Sequence, residues 1–188
     1  TEQGAAIFRL QAHTDRLFAS AAIMNMEMPF DKETLNKAQM AAVAENHLES
    51  AYVRPMCFYG SEGMGLRADN LKVHVMIAAW EWGAYLGQES LDNGIRIRKS
   101  SFMKNDSHPS MYLAKANGNY INSMLALDEA LSKGYDEALL LDSKGNVAEG
   151  SGENIFMIND GVLYTPTLVA SLNGITRNTI MTLAKETG

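Results

Sequence analysis

The sequence predicts an α+β fold, because blocks with apolar residues at helical spacing are segregated from strand-forming runs, and those runs are joined largely by short hairpin-type turns. His13 to Met26 places Leu17, Phe18, Ala21, Ala22 and Met26 on one helical face, and Thr34 to Leu48 repeats the pattern behind the acidic start Asp31 and Glu33. Ala51 to Tyr59 and Leu71 to Trp80 are rich in Tyr, Val, Met, Phe and Ile and read as a strand pair across the loop holding Gly60, Gly63 and Gly65. Trp82 to Gly94 breaks the pattern with Gly83, Gly87 and Asn93-Gly94, which reads as an interdomain linker between residues 1–81 and 95–188.

The second half opens with Ile95 to Phe102 as a strand and a polar loop through Asn105, Asp106, Ser107, His108 and Pro109. Tyr120 to Ser132 reads as a helix, followed by short strands at Ala138 to Leu141, Val147 to Ala148, Asn154 to Ile158 and Val162 to Tyr164. The turns Ser143-Lys144-Gly145-Asn146 and Asn159-Asp160-Gly161 punctuate them, so a meander or barrel-like sheet is expected. A last helix begins near Gly174 and runs to Lys185.

The composition limits the chemistry. The 188 residues are 46% hydrophobic and 20% charged, an ordinary globular balance that can bury a core. A net charge of −6 argues against nucleic acid or an anionic membrane as partner, since a phosphate surface needs a basic face. The single cysteine, Cys57, excludes a disulfide framework within the chain and fits a reducing cytoplasm. No run approaches a membrane span, and Thr1 opens no signal-like segment. His13, His47, His74 and His108 lack zinc-ligand spacing, so no metal is expected, and the twelve methionines read as core filler.

Three segments carry possible chemistry. Lys115 stands in Tyr112-Leu113-Ala114-Lys115-Ala116-Asn117-Gly118-Asn119-Tyr120, between apolar and small residues ahead of a helix. Desolvation there would lower its pKa and free a lone pair for a Schiff base, although a solvated surface lysine is the commoner reading of such a segment alone. Glu149 and Glu153, in Val147-Ala148-Glu149-Gly150-Ser151-Gly152-Glu153-Asn154-Ile155-Phe156, suit an acid–base pair, a metal site or a solvated turn, and alone the turn is favoured. Gly174-Ile175-Thr176-Arg177 starts a helix, where free backbone N–H groups can hold a phosphate, though many helix starts bind nothing.

In order, these segments resemble one family, the fold-type IV pyridoxal-phosphate aminotransferases, and within it the bacterial branched-chain amino-acid branch. The likeness begins at Ala6-Ile7-Phe8-Arg9-Leu10 and His13-Thr14-Asp15-Arg16-Leu17 and passes through Tyr52-Val53-Arg54-Pro55, Gly63-Met64-Gly65 and Trp82-Gly83-Ala84-Tyr85. It ends on the Lys115 segment, Glu149 to Phe156 and Gly174 to Arg177, and so covers essentially the whole chain. The resemblance implies a small α/β N-terminal domain and a larger barrel-like C-terminal domain, both incomplete here.

It further implies that pyridoxal 5'-phosphate is bound and that Lys115 is the amine that joins it and then shuttles a proton. Glu149 resembles the carboxylate at the pyridine nitrogen, and an anion there would keep that nitrogen protonated. Arg16 resembles the arginine on the phosphate, with the backbone of Ile175 and Thr176 completing the cup. Tyr120 resembles the tyrosine at the phenolic oxygen, and Glu153, Asn154 and Leu172 also match cofactor-side positions, with Glu153 orienting Arg16 or the cofactor-side loop rather than touching the ring. On the substrate side, Arg54 matches the arginine that receives the side-chain carboxylate of glutamate, while Tyr52, Trp82 and Tyr85 form an apolar wall for leucine, isoleucine and valine. Taken as bare residues, Tyr52 and Arg54 fit a strand with an exposed salt bridge and Trp82 fits core packing.

Family members are longer at both ends, so the chain is expected to be part of a larger enzyme. That enzyme would be a cytoplasmic homodimer or higher homo-oligomer whose small-molecule substrates are amino acids and 2-oxo acids. D-amino-acid aminotransferases and an aminodeoxychorismate lyase share the fold, and a non-catalytic assembly module is the reading from a different class. Tyr52-x-Arg54 with Trp82 favours the branched-chain branch.

Overall fold

The computed structural model describes residues 6–83, 86–104 and 112–188. The chain divides into two compact units, residues 1–85 and 86–188. Tyr85 and the polar loop from Asn105 to Pro109 lie outside the described residues.

The first unit holds two helices and a hairpin. Helix α1 (Leu10–Ile23) follows Arg9, which has a left-handed backbone conformation. Helix α2 (Lys32–Glu45) is capped by the Asp31 carboxylate, which accepts from the Thr34 N–H at 2.7 Å. Both begin two or three residues before the expected starts and end three before the expected ends, since periodicity marks a face better than a terminus. Their contact is partly polar: Gln39 Nε2 donates to Thr14 Oγ1 at 2.9 Å, and Thr14 Oγ1 donates to Asn36 Oδ1 at 2.6 Å. Thr14 and Gln39 are buried, and so each needs the other's hydrogen bond. Strands β1 (Tyr52–Tyr59) and β2 (Val73–Trp80) pair antiparallel, setting Tyr52 opposite Trp80 and Arg54 opposite Ala78.

The second unit starts with a short helix α3 (Gln88–Asn93), which falls inside the stretch expected to be linker. Strand β3 (Ile97–Met103) is followed by a 3-10 turn (Asn117–Tyr120), helix α4 (Ile121–Ser132) and strands β4 (Glu137–Leu141) and β5 (Val147–Gly150). β3 runs parallel to β4, and β4 pairs antiparallel with β5. The first link is therefore a β–α–β crossover through the helix expected at Tyr120 to Ser132, and the strands after that helix, expected to form one meander or barrel-like sheet, lie in two sheets, β3-β4-β5 and a later hairpin. A parallel pair needs a long return path, and α4 supplies it. Its small residues Ala126 and Ala130 pack on Ala138 and Leu140, with Phe102 and Tyr135 alongside. Strands β6 (Met157–Asn159) and β7 (Val162–Tyr164) make a separate hairpin, and helix α5 (Ile175–Thr187) ends the chain.

Candidate functional site

In the second unit the expected residues gather where β3, β5 and α4 meet. Glu149 lies on β5 opposite Leu140 of the central strand, an inner position that buries its side chain. Its Oε1 is 2.6 Å from Lys104 Nζ, and its Oε2 accepts from the Leu172 N–H at 3.0 Å. Lys104 follows β3 and donates from Nζ to Ser123 Oγ of α4 at 2.9 Å. The two charged side chains are 4% and 10% exposed, Lys104 first, so this is a buried ion pair supplied with further hydrogen bonds.

Lys115 lies just ahead of the 3-10 turn, in a segment where Tyr112 and Ala114 face inward and Leu113 and Lys115 face outward. This corrects the desolvation expected for it: the alternation of the local chain exposes Lys115, and the buried lysine is Lys104. The Lys115 Nζ donates to the Tyr120 hydroxyl at 2.7 Å and stands 5.0 Å from the ring centroid. Lys104 Nζ is 5.9 Å from the same centroid, so the ring of Tyr120 is approached by both amines. Tyr112, Ala114, Asn119, Tyr120, Glu149, Leu172 and Lys104 line one cavity of about 10 Å³. Asn119 holds the Lys115 segment in place by donating to the Ala114 carbonyl at 3.1 Å.

The segment leading into α5 is tied to β5. Ser171 donates to the Ala148 carbonyl at 2.8 Å, and Asn154 Nδ2 donates to the Leu172 carbonyl at 2.9 Å. Gly174 is the N-cap of α5, without a side-chain cap, and its carbonyl accepts from the Asn178 N–H. The first helical N–H groups, those of Ile175 and Thr176 among them, have no intrahelical acceptor and suit an anion. A Cβ on Gly174 would collide with Asn154 Oδ1, so a larger residue there requires the Asn154 side chain to move. Glu153 bends back on its own loop, where its Oε2 accepts from the Gly152 N–H at 3.1 Å. Burial pushes its carboxyl above the usual range, and the neighbouring Glu137 carboxylate adds to that.

In the first unit, Arg54 does not form the exposed salt bridge that bare residues suggested; among the described residues no carboxylate pairs with it. Its Cζ instead stands 5.3 Å from the Tyr52 ring, 5.2 Å from Trp80 and 5.9 Å from Trp82. Tyr52 and Trp82 are 4.6 Å apart between centroids, and Trp80 and Trp82 are 5.5 Å apart and stacked. Tyr52 and Trp82 remain 40% and 39% exposed, so Trp82 is not a core residue. Arg16 lies half-buried on α1.

Lys104, Ser123 and Trp80 were not expected in these clusters. Trp80 had a signal, because it shares the two-residue spacing of Trp82 and lies opposite Tyr52. Lys104 and Ser123 had none, since their meeting depends on the crossover that lays α4 over the sheet. No group of three or more His, Cys, Asp or Glu that could hold a metal occurs among the described residues, and none of their helices is long and apolar enough to cross a membrane.

The sequence pattern of the family described as amino-transferase class IV matches residues 2–188. A branched-chain-amino-acid aminotransferase of Pseudomonas aeruginosa is 68% identical over 188 residues, which cover 100% of this chain and 61% of that protein. The crystal structure of the Escherichia coli branched-chain amino acid aminotransferase superposes with a TM-score of 0.96 at 41% identity, over 100% of this chain and 62% of that one. The branched-chain amino acid aminotransferase from Thermobaculum terrenum, crystallised in its PLP-form, gives 0.86 at 30% identity, with 96% and 58% covered. The chain thus spans about three fifths of the length of these relatives. With the family pattern matched from residue 2 to the last and the folds superposing along the chain, the chain belongs to the class IV aminotransferases.

Proposed function

We propose that the protein of which this chain is part moves an amino group between the branched-chain L-amino acids (leucine, isoleucine, valine) and 2-oxoglutarate in a ping-pong reaction, using pyridoxal 5'-phosphate held at Lys115. The observation that carries this reading is the pairing of Lys115 Nζ with the Tyr120 hydroxyl at 2.7 Å, on a tyrosine that lines the same cavity as the buried Glu149. The donor set suits that cofactor: an exposed amine, a buried carboxylate and a helix start with open N–H groups ahead of α5. When bound, the cofactor supplies an electron sink for the substrate α-carbon.

The residues do the rest. Lys115 anchors the cofactor and carries the proton between the substrate α-carbon and C4′. Glu149 holds a proton at the ring nitrogen, and Tyr120 hydrogen-bonds the phenolic oxygen. The N–H groups of Ile175 and Thr176, with Arg16, grip the phosphate, while Glu153, Asn154 and Leu172 hold the surrounding loops. Arg54 receives the side-chain carboxylate of glutamate, and Tyr52, Trp82 and Tyr85 receive the branched apolar side chains. Residues 1–81 and 95–188 serve as parts of a small and a large domain joined through 82–94, and the whole enzyme is a cytoplasmic homo-oligomer.

The names of the relatives at 68% and 42% identity favour branched-chain substrates over D-amino acids or aminodeoxychorismate. Borohydride reduction of the full-length protein with pyridoxal 5'-phosphate, followed by peptide mapping, tests the reading. Label on Lys115 and a spectral shift with L-leucine and with L-glutamate are expected; label elsewhere, or no response to either amino acid, sinks it.

A further inference from the structure

We propose that Lys104 is a positioning residue for Glu149: its buried ammonium is the counter-charge that holds the carboxylate at the cavity shared with Tyr120, and through that carboxylate it governs how tightly the cofactor binds. The inference rests on the role given above to Glu149.

Two charges out of water are costly unless each is paired and hydrogen-bonded. Lys104 meets that condition on three sides, through Glu149 Oε1 at 2.6 Å, Ser123 Oγ at 2.9 Å and the ring of Tyr120 at 5.9 Å. Its backbone is fixed as well. The Lys104 N–H donates to the Leu141 carbonyl at 2.9 Å, and Asn122 Nδ2 holds the preceding carbonyl of Met103 at 2.8 Å. Glu149 has one further partner, the Leu172 N–H. One carboxylate therefore joins β5 to the segment before α5, and Lys104 joins it to β3 and α4.

Without the ammonium, the carboxylate would be left with one amide donor, and Glu153 would add a second acid to the same neighbourhood. A buried carboxylate that has lost its counter-charge is costly to hold in place and turns away, which weakens it as the partner of a protonated ring nitrogen. Lys104 itself is a poor nucleophile, since it is buried and ion-paired, whereas Lys115 is exposed.

The test is a double-mutant cycle in the full-length protein with Lys104→Met, Lys104→Arg, Glu149→Gln and Lys104→Met/Glu149→Gln. The dissociation constant for pyridoxal 5'-phosphate and the denaturant midpoint of the cofactor-free protein are read for each. Lys104→Met is expected to weaken cofactor binding about tenfold to a hundredfold, the size seen for outer partners of ligating groups. Lys104→Arg keeps the charge and stays within about threefold of the parent. In the Glu149→Gln background, Lys104→Met changes binding by less than about twofold and raises the denaturant midpoint, because it removes a buried cation that has lost its partner.

Losses of equal size in both backgrounds, or Met serving as well as Arg, would overturn the proposal and leave Lys104 as packing alone. Should Lys104→Met alone fail to fold, a folded double variant supports the ion pair and an unfolded one overturns it. A parent protein in which Lys115 takes no label overturns the aminotransferase reading, while the cofactor-free cycle still reads the pair. Additive losses with Lys115 labelled overturn the Lys104 inference alone.

Discussion

Arg54 in the first unit and Lys104 in the second are both cations near aromatic rings, but their surroundings give them opposite capacities. Arg54 is exposed over Tyr52, Trp80 and Trp82 without an ion pair among the described residues, whereas Lys104 is buried on a carboxylate and a hydroxyl. Exposed cation–π contacts hold about 0.5–1 kcal/mol each, so a guanidinium on such a platform is oriented yet still available to an incoming carboxylate. Breaking a buried pair costs about 3–5 kcal/mol, so the Lys104 ammonium is committed. On the proposed function, the open hairpin would serve recognition of changing side chains, and the crossover core would serve a group that must stay in place.

The largest effect expected is at Lys115, which separates exposure from commitment within the second unit. Lys115→Ala should lower the turnover of the full-length enzyme by about 10⁴-fold, the upper range for loss of a positioned proton carrier. Its stability should change by no more than about 0.5 kcal/mol, because an exposed amine holds little of the fold together. Steady-state rates with L-leucine alongside thermal unfolding check both; a stability loss comparable to that of Lys104→Met would erase the distinction.

Gly174→Ala comes next. The added Cβ meets Asn154 Oδ1 and forces that side chain off its bond to the Leu172 carbonyl, with an expected destabilisation of about 1–3 kcal/mol. Denaturant unfolding reads it, and Asn154→Ser in the same chain should recover part of the loss by making room. No recovery would place the strain elsewhere.

Arg54→Ala sharpens the other side of the contrast. It should raise KM for 2-oxoglutarate about tenfold, or about 1.4 kcal/mol, while KM for leucine shifts much less. Equal shifts for both substrates would remove Arg54 from carboxylate recognition.

The smallest effect concerns Glu129, on the crossover helix α4 and facing β3. The Ser101 N–H, then Lys133 and the Ser100 hydroxyl, hold its carboxyl down to about 2. A depressed folded-state value means stability that is present above the usual carboxylate range and is lost as pH falls towards about 2. Glu129→Gln should therefore unfold more readily than the parent at neutral pH, and the gap should close progressively as pH falls through that window. A gap that does not change with pH would assign the loss to packing.

Much of the fold was legible because its signals are local. The Asp31 cap, the helical spacing of Leu17, Phe18 and Ala21, and the turns at Gly145 and Gly161 depend on neighbours within a few residues, and helices and hairpins formed there. The candidate site could be proposed from the sequence only through the order of its motifs, since Lys115, Glu149 and Gly174 are each ordinary in isolation. The parallel pairing of β3 with β4 was missed because the intervening helix hides the partner strand from any short-range pattern.

By itself the sequence determined the element types, the charge balance and the family likeness carried by its motifs, all of which follow from local geometry and residue order. Only the tertiary structure decided which lysine is buried, which rings surround Arg54 and which side chain crowds position 174. Those outcomes depend on atoms brought together from distant segments, where burial, rather than residue type, determines whether a charge is held in an ion pair or left open to solvent.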